Sequence, residues 1–149
     1  MKTALVIGIG GMDGSFLADI LYEKGYSIHG FYRRTSTGNL GRIAHLLDYP
    51  TRITLYQGDV LDPASVRRAI WNTEPDDIYF MADQDKVDWS RQLPGYTWDI
   101  GVKAVAQTLE MVKEFQKCHH DKVVKYFHPL SATMFGYAPP PQNETTPID

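Results

Sequence analysis

The chain has 149 residues, 43% hydrophobic and 22% charged, with 15 basic and 18 acidic side chains and a formal net charge of −3. These values suit one globular domain. They exclude a disordered or fibrous chain and give no cationic footprint for nucleic acid or an anionic membrane. The one cysteine, Cys118, rules out an intramolecular disulfide and points to a reducing, cytoplasmic setting. No apolar run approaches the ~20 residues needed to span a bilayer.

The opening MKTALVIGIGGM has the apolarity of a short signal segment. Glycines interrupt it and no small-residue cleavage site follows, so residues 3–8 read as a buried first strand. Residues 15–24 then carry Phe16, Leu17, Ile20 and Leu21 at helical spacing, with Gly25 placed as a C-terminal cap. Residues 26–32 are a second strand, 33–41 a polar loop, and 43–47 one or two helical turns. A third strand is predicted over 52–57, a helix opened by Pro63 over 63–71, and a fourth strand over 77–81.

Pro94 opens a long helix whose apolar face would be Trp98, Val102, Val105, Leu109 and Val112, with Lys113 and Lys117 near its end. A fifth strand is predicted over 122–130, and 138–149 is an irregular, proline-rich tail. Regular alternation of strand and helix implies a doubly wound α/β architecture, a Rossmann-like parallel sheet of about five strands. With no closing element after 130, the chain reads as truncated relative to a full fold of this kind.

Gly8, Gly11 and Gly14 fall between the first strand and the first helix, where glycines let a pyrophosphate approach the helix N-terminus. The end of the second strand offers Phe31, Tyr32, Arg33 and Arg34 but no acid. A carboxylate there would take the ribose 2′-hydroxyl of NAD, whereas adjacent guanidinium groups suit the 2′-phosphate of NADP. Asp59, after the third strand, can accept a hydrogen bond from the adenine amino group. A tight turn, a solvated basic loop and a plain Gly-Asp turn remain the alternatives for these three features.

The strings GGMDGSFLA, EKGY, HGFYRR and NLGRI, with GDVLD, PGYTWDI and PQNETTP further on, resemble the GDP-mannose 4,6-dehydratase family of extended short-chain dehydrogenases/reductases. The resemblance covers nearly the whole chain and is strongest before residue 62. It implies that Gly8, Ile9, Gly10, Gly11, Met12, Asp13 and Gly14 wrap the pyrophosphate of NADP. It implies that Arg33, Arg34, Thr35 and Ser36 hold the 2′-phosphate and that Asp59 and Val60 flank adenine. It also implies that Met81, Ala82, Asp83, Gln84 and Asp85 run beneath the nicotinamide half and that Tyr96 faces the cofactor. In that family NADP⁺ takes a hydride from C4 of the mannose ring, water leaves across C5 and C6, and the hydride returns to C6. The partners implied are a GDP-mannose-like nucleotide sugar and further copies of the chain meeting through the loop 33–41.

The departures from the family pattern fall on the chemistry. Ser131 keeps a hydroxyl for the 4-oxygen of the sugar, but Thr133 stands where the family has the Glu that acts at C5, and an ordinary hydroxyl is no such base. None of the nine tyrosines has lysine four residues later. The family's Tyr-x-x-x-Lys pair would begin just past Asp149. Ile7 replaces a threonine, Asp83-Gln84-Asp85-Lys86 replaces Ala-Gln-Ser-His, and Gly101 interrupts the long helix. The expectation is an NADP-binding domain of dehydratase type, inactive alone. An epimerase-like fragment, suggested by Ser131-Ala132-Thr133, and a non-catalytic NADP(H)-sensing or structural subunit are the alternatives. Cys118, His119 and His120 read as a solvated helix end with no metal site, Asp83, Asp85 and Asp88 as a solvated loop, and Trp71, Trp89 and Trp98 as packing.

Overall fold

Strands β1 (Thr3–Ile7), β2 (Ser27–Tyr32), β3 (Ile53–Gln57), β4 (Asp77–Phe80) and β5 (Lys125–Phe127) form one parallel sheet in the order β3-β2-β1-β4-β5. This computed structural model describes residues 1–36, 38–48 and 52–148. Thr37 of the loop 33–41 and Asp149 of the tail thus lie outside the described residues.

β1 is central, and Ala4, Leu5, Val6 and Ile7 are all 0% exposed because both faces of the strand are covered. The faces alternate as a pleated strand requires. Leu5 and Ile7 enter a core with Val66, Ile70, Phe80 and Phe115. Ala4 and Val6 enter the opposite core with Ala18, Leu21, Ile28 and Ile43. The first core is closed by α3 (Pro63–Thr73) and α6 (Val105–Cys118), the second by α1 (Met12–Glu23) and α2 (Ala44–Leu47), which follows a 3₁₀ turn at Gly41–Ile43. α3 starts where the sequence places it: the Asp62 side chain accepts from the Ala64 amide at 3.1 Å and proline occupies the first turn. It runs through Thr73 and ends at Glu74 in a left-handed conformation.

Five expectations are corrected. α1 buries Gly14, Ser15, Ala18 and Leu21, leaving Phe16 64% and Ile20 49% exposed. Its small-residue face lies on the sheet. The predicted long helix exists but changes pitch: α5 (Pro94–Trp98) continues into a π-helical stretch at Asp99–Ala104 and then into α6. The wider turn rotates the buried face to Ile100, Ala104, Thr108, Val112 and Phe115. Trp98, Val102 and Leu109 face outward. β5 pairs only from Lys125 to Phe127; at the next position the His128 ring Nδ1 lies 3.2 Å from the Phe80 carbonyl oxygen. Finally, the segment read as an acidic solvated loop contains α4 (Val87–Gln92), and a 3₁₀ turn forms at Ala132–Phe135. Of the three tryptophans, Trp71 packs edge-on against Phe115 at 5.3 Å between ring centroids, whereas Trp89 and Trp98 are exposed. No helix among the described residues is long and apolar enough to cross a membrane.

Candidate functional site

The strand order reverses direction between β1 and β4, and a cavity of about 400 Å³ opens above the carboxyl ends of the strands at that point. In an open α/β sheet this crevice is where a dinucleotide lies, one half on each side of the switch. Its floor is Gly8, Gly10 and Gly11. Gly8 has φ of +93°, which an L side chain rarely adopts, and a Cβ there would sit 2.9 Å from the Ala82 amide nitrogen. Gly14 lets α1 approach the Gly8 carbonyl, where any Cβ would collide. No side chain caps the α1 N-terminus among the described residues, which leaves its leading amides available to an anion. This cradle fits a pyrophosphate.

On the β2–β3 side the groove is lined by Arg33, Asp59 and Val60. Asp59 is fixed by four local bonds: its carboxylate accepts from the Leu61 amide at 2.9 Å, its own amide donates to Ser65 Oγ at 3.1 Å, and its carbonyl accepts from Ser65 Oγ and from the Asp62 amide, each at 2.9 Å. On the β4 side the lining is Met81, Ala82, Asp83, Gln84, Asp85 and Tyr96. The two sides meet where Arg33 Nη1 donates to the Tyr96 hydroxyl at 2.9 Å. Phe31, Tyr32, Asn39, Lys86, Trp89 and Ile100 also line the groove, none of them a cofactor residue in the sequence reading. Asn39 and Ile100 carried no local signal. Lys86 and Trp89 adjoin the expected segment, and α4 brings them in.

The other expected residues lie outside this lining. Ile9 is 0% exposed and belongs to the core under the loop, and Gly14 is buried against Gly8. Met12 and Asp13 are exposed at the start of α1. Arg34 and Ser36 are exposed on the loop after β2, while the buried Oγ1 of Thr35 has no hydrogen-bond partner among the described residues. Ser131 and Thr133 are exposed beyond β5. Thr133 Oγ1 lies 2.8 Å from Ser131 Oγ, which also accepts from the Thr133 amide at 3.2 Å, so the pair caps its own 3₁₀ turn. No group of three or more His, Cys, Asp or Glu among the described residues could hold a metal ion.

A family model described as GDP-mannose 4,6 dehydratase matches residues 5–149. The chain belongs to the GDP-mannose 4,6-dehydratase family. "GDP-mannose 4,6 dehydratase 1" of Arabidopsis thaliana is 40% identical over 152 residues, covering 99% of this chain and 42% of the relative. The chain therefore spans about two fifths of the length of the curated relatives it matches. Among solved structures, UDP-glucose 4-epimerase from Bifidobacterium longum in complex with NAD⁺ and UDP superposes with a TM-score of 0.77. That match is 26% identical and covers 99% of this chain and 43% of that one. The UDP-Glc/GlcNAc 4-epimerase of Campylobacter jejuni gives 0.84 at 19% identity, covering 100% and 43%, which shows the shared fold. The doubly wound fold of this dehydratase-family chain, and its correspondence to part of a larger fold, follow from these matches together with the sheet order.

Proposed function

We propose that this chain is the NADP(H)-binding domain of a GDP-mannose 4,6-dehydratase. The observation that carries this reading is Arg33, which lines the groove at the end of β2 beside the glycine cradle. NAD-type sites place an acid near this point. Guanidinium grips phosphate bidentately, so Arg33, backed by the exposed Arg34, would take the 2′-phosphate. Asp59 holds the Leu61 amide through Oδ1, which leaves its second oxygen for the adenine amino group. The α1 N-terminus and the Gly8–Gly11 turn would take the pyrophosphate, and the segment 81–85 with Tyr96 the nicotinamide half. When bound, the cofactor supplies a hydride acceptor and donor; the chain's residues bind it, orient it and bridge the groove.

The substrate of this reading is a GDP-mannose-like nucleotide sugar, as the names of the relatives suggest. Thr133 stands where the family has an acid and an ordinary hydroxyl is no such base, so this reading assigns the groove residues to holding the cofactor. A cytoplasmic location, supported by the one cysteine, and homo-oligomers meeting through the loop 33–41 belong to the same reading.

The test is a titration with NADPH and NADH, followed by cofactor fluorescence. Charge-assisted hydrogen bonds to one phosphate are worth about 1.5–3 kcal/mol, so Arg33→Ala should weaken NADPH roughly 10- to 150-fold. NADH should change less than about threefold. Equal affinity for the two cofactors in the unmodified chain would sink the assignment to NADP.

A further inference from the structure

We infer that Asp83 and Asp85 make the groove discriminate between cofactor redox states, favouring the oxidised, positively charged nicotinamide over the reduced, neutral one. The inference rests on the reading that the groove takes NADP(H), and it concerns what the β4 end adds to it. Both residues line the groove on the β4 side of the switch point, opposite Arg33, Asp59 and Val60. A dinucleotide crossing that point with its adenosine half toward β2 and β3 must lay its other half here.

The turn that carries the two carboxylates is fixed, and the Asp83 carboxylate with it. The Gln84 side chain accepts from the Lys86 amide at 2.9 Å and donates to the Lys86 carbonyl at 3.0 Å and to Thr97 Oγ1 at 3.3 Å. This staples the turn to α5. Asp83 Oδ1 accepts from the Gln84 amide at 2.7 Å and lies 3.5 Å from where a Gly101 Cβ would be, so it rests against the π-helical stretch. Neither carboxylate has an ion-pair partner among the described residues. The adjacent cation, Lys86, is turned over the Trp89 ring at 5.4 Å.

These two negative charges act on every pyrophosphate ligand by repulsion, and on the oxidised ring alone by an added attraction. Removing them therefore strengthens binding of NADPH more than that of NADP⁺. For charges roughly 6 Å apart in a water-like medium the effect is about threefold each, near tenfold for the pair. The screened, exposed setting makes it shrink in high salt.

The experiment compares affinities of the chain and its Asp83→Asn/Asp85→Asn variant for NADP⁺, NADPH and 2′,5′-ADP, which lacks the nicotinamide half. The expected result is a fall of about fivefold to tenfold in the NADPH-to-NADP⁺ ratio of dissociation constants. The melting temperature should hold steady, and 2′,5′-ADP affinity should rise by no more than NADPH affinity does. A structural role for the two residues would move all three ligands together. If the unmodified chain binds both cofactors and the ratio stays fixed in the variant, the inference is overturned and the cofactor reading stands. If the unmodified chain binds none of the three, both fall.

Discussion

Replacing Gly14 with alanine sets two effects of opposite sign against each other. Inside a helix, glycine to alanine stabilises by about 1 kcal/mol through reduced backbone entropy of the unfolded chain. At Gly14 the new Cβ would collide with the Gly8 carbonyl oxygen and lie 3.0 Å from the Gly8 carbonyl carbon and 3.1 Å from Ile9 Cα. All three atoms are main chain, so no rotamer change relieves the contact, and overpacking of this kind costs about 1–3 kcal/mol. The approach to the Gly8 carbonyl oxygen is closer than real Cβ contacts come, which puts the cost in the upper part of that range, so the clash wins: net destabilisation of about 1–2 kcal/mol, or roughly 2–8 °C in melting temperature for a chain of this size. The movement falls on Gly8, whose amide donates to the Phe31 carbonyl at 2.9 Å and whose positive φ shapes the cradle. NADPH affinity should therefore drop about tenfold or more. Gly95→Ala in α5 is the control, since a Cβ there meets nothing within 4 Å and its φ is not left-handed. It should raise stability by about 0.5–1 kcal/mol. Thermal melts by circular dichroism, with and without NADPH, read both variants. A Gly14→Ala chain that melts higher and binds NADPH normally would refute the argument that α1 must touch the glycine turn.

Two stability predictions accompany the binding tests on Arg33 and on Asp83 with Asp85. Phe115 is 0% exposed, edge-on to Trp71 and stacked on His119 at 4.1 Å between centroids. Phe115→Ala should cost about 3–5 kcal/mol and lower the urea midpoint at unchanged slope; a loss under about 1 kcal/mol would show that the α6 face is not the core assigned here. Burial lowers the pKa of His29 from its ordinary value near 6.5, while its ring nitrogens face Tyr56 and Ser27 hydroxyls. Because the folded state resists protonation, the unfolded chain binds more protons at acid pH, so stability falls as pH drops through the region of 6.5 and below. His29→Gln should flatten that limb in melts recorded against pH, and an unchanged limb would assign it to other groups.

The sheet was legible because each strand carries a short apolar or β-branched run punctuated by glycine, proline or acid, with β5 alone pairing over much less of its run than that local signal suggests. Helix orientation was not, and for one reason in two places. Counting large apolar residues on α1 selects Phe16 and Ile20, but a helix that must bring its leading amides over Gly8 can approach only through small side chains. Gly14, Ser15 and Ala18 are that face. On the long helix, the regular spacing of Trp98, Val102 and Leu109 assumes 3.6 residues per turn throughout, and the π-helical stretch breaks that assumption. Thr108 then fills a buried position that a hydrophobicity count passes over, its hydroxyl satisfied by the Ala104 carbonyl at 2.7 Å.

The same distinction separates the readable from the unreadable parts of the groove. Gly8 and Arg33 are fixed by their position at strand ends, so sequence alone locates them. Asn39 and Ile100 arrive through a loop crossing and a pitch change that have no local signature. The departures from the family pattern can now be ranked by the same geometry. Ile7 pairs with Phe31 and Phe80 across the ladders and is 0% exposed. Its branched side chain fills the core beneath the groove and does not line it. Gly101 takes no cofactor either; it leaves room beside Asp83 in the π-helical stretch. Thr133 is spent on its own turn with Ser131. Among these substitutions those at 83, 85 and 86 line the groove, the last with its ammonium over the Trp89 ring, so a change in how a cofactor is held would come through the charges of this segment.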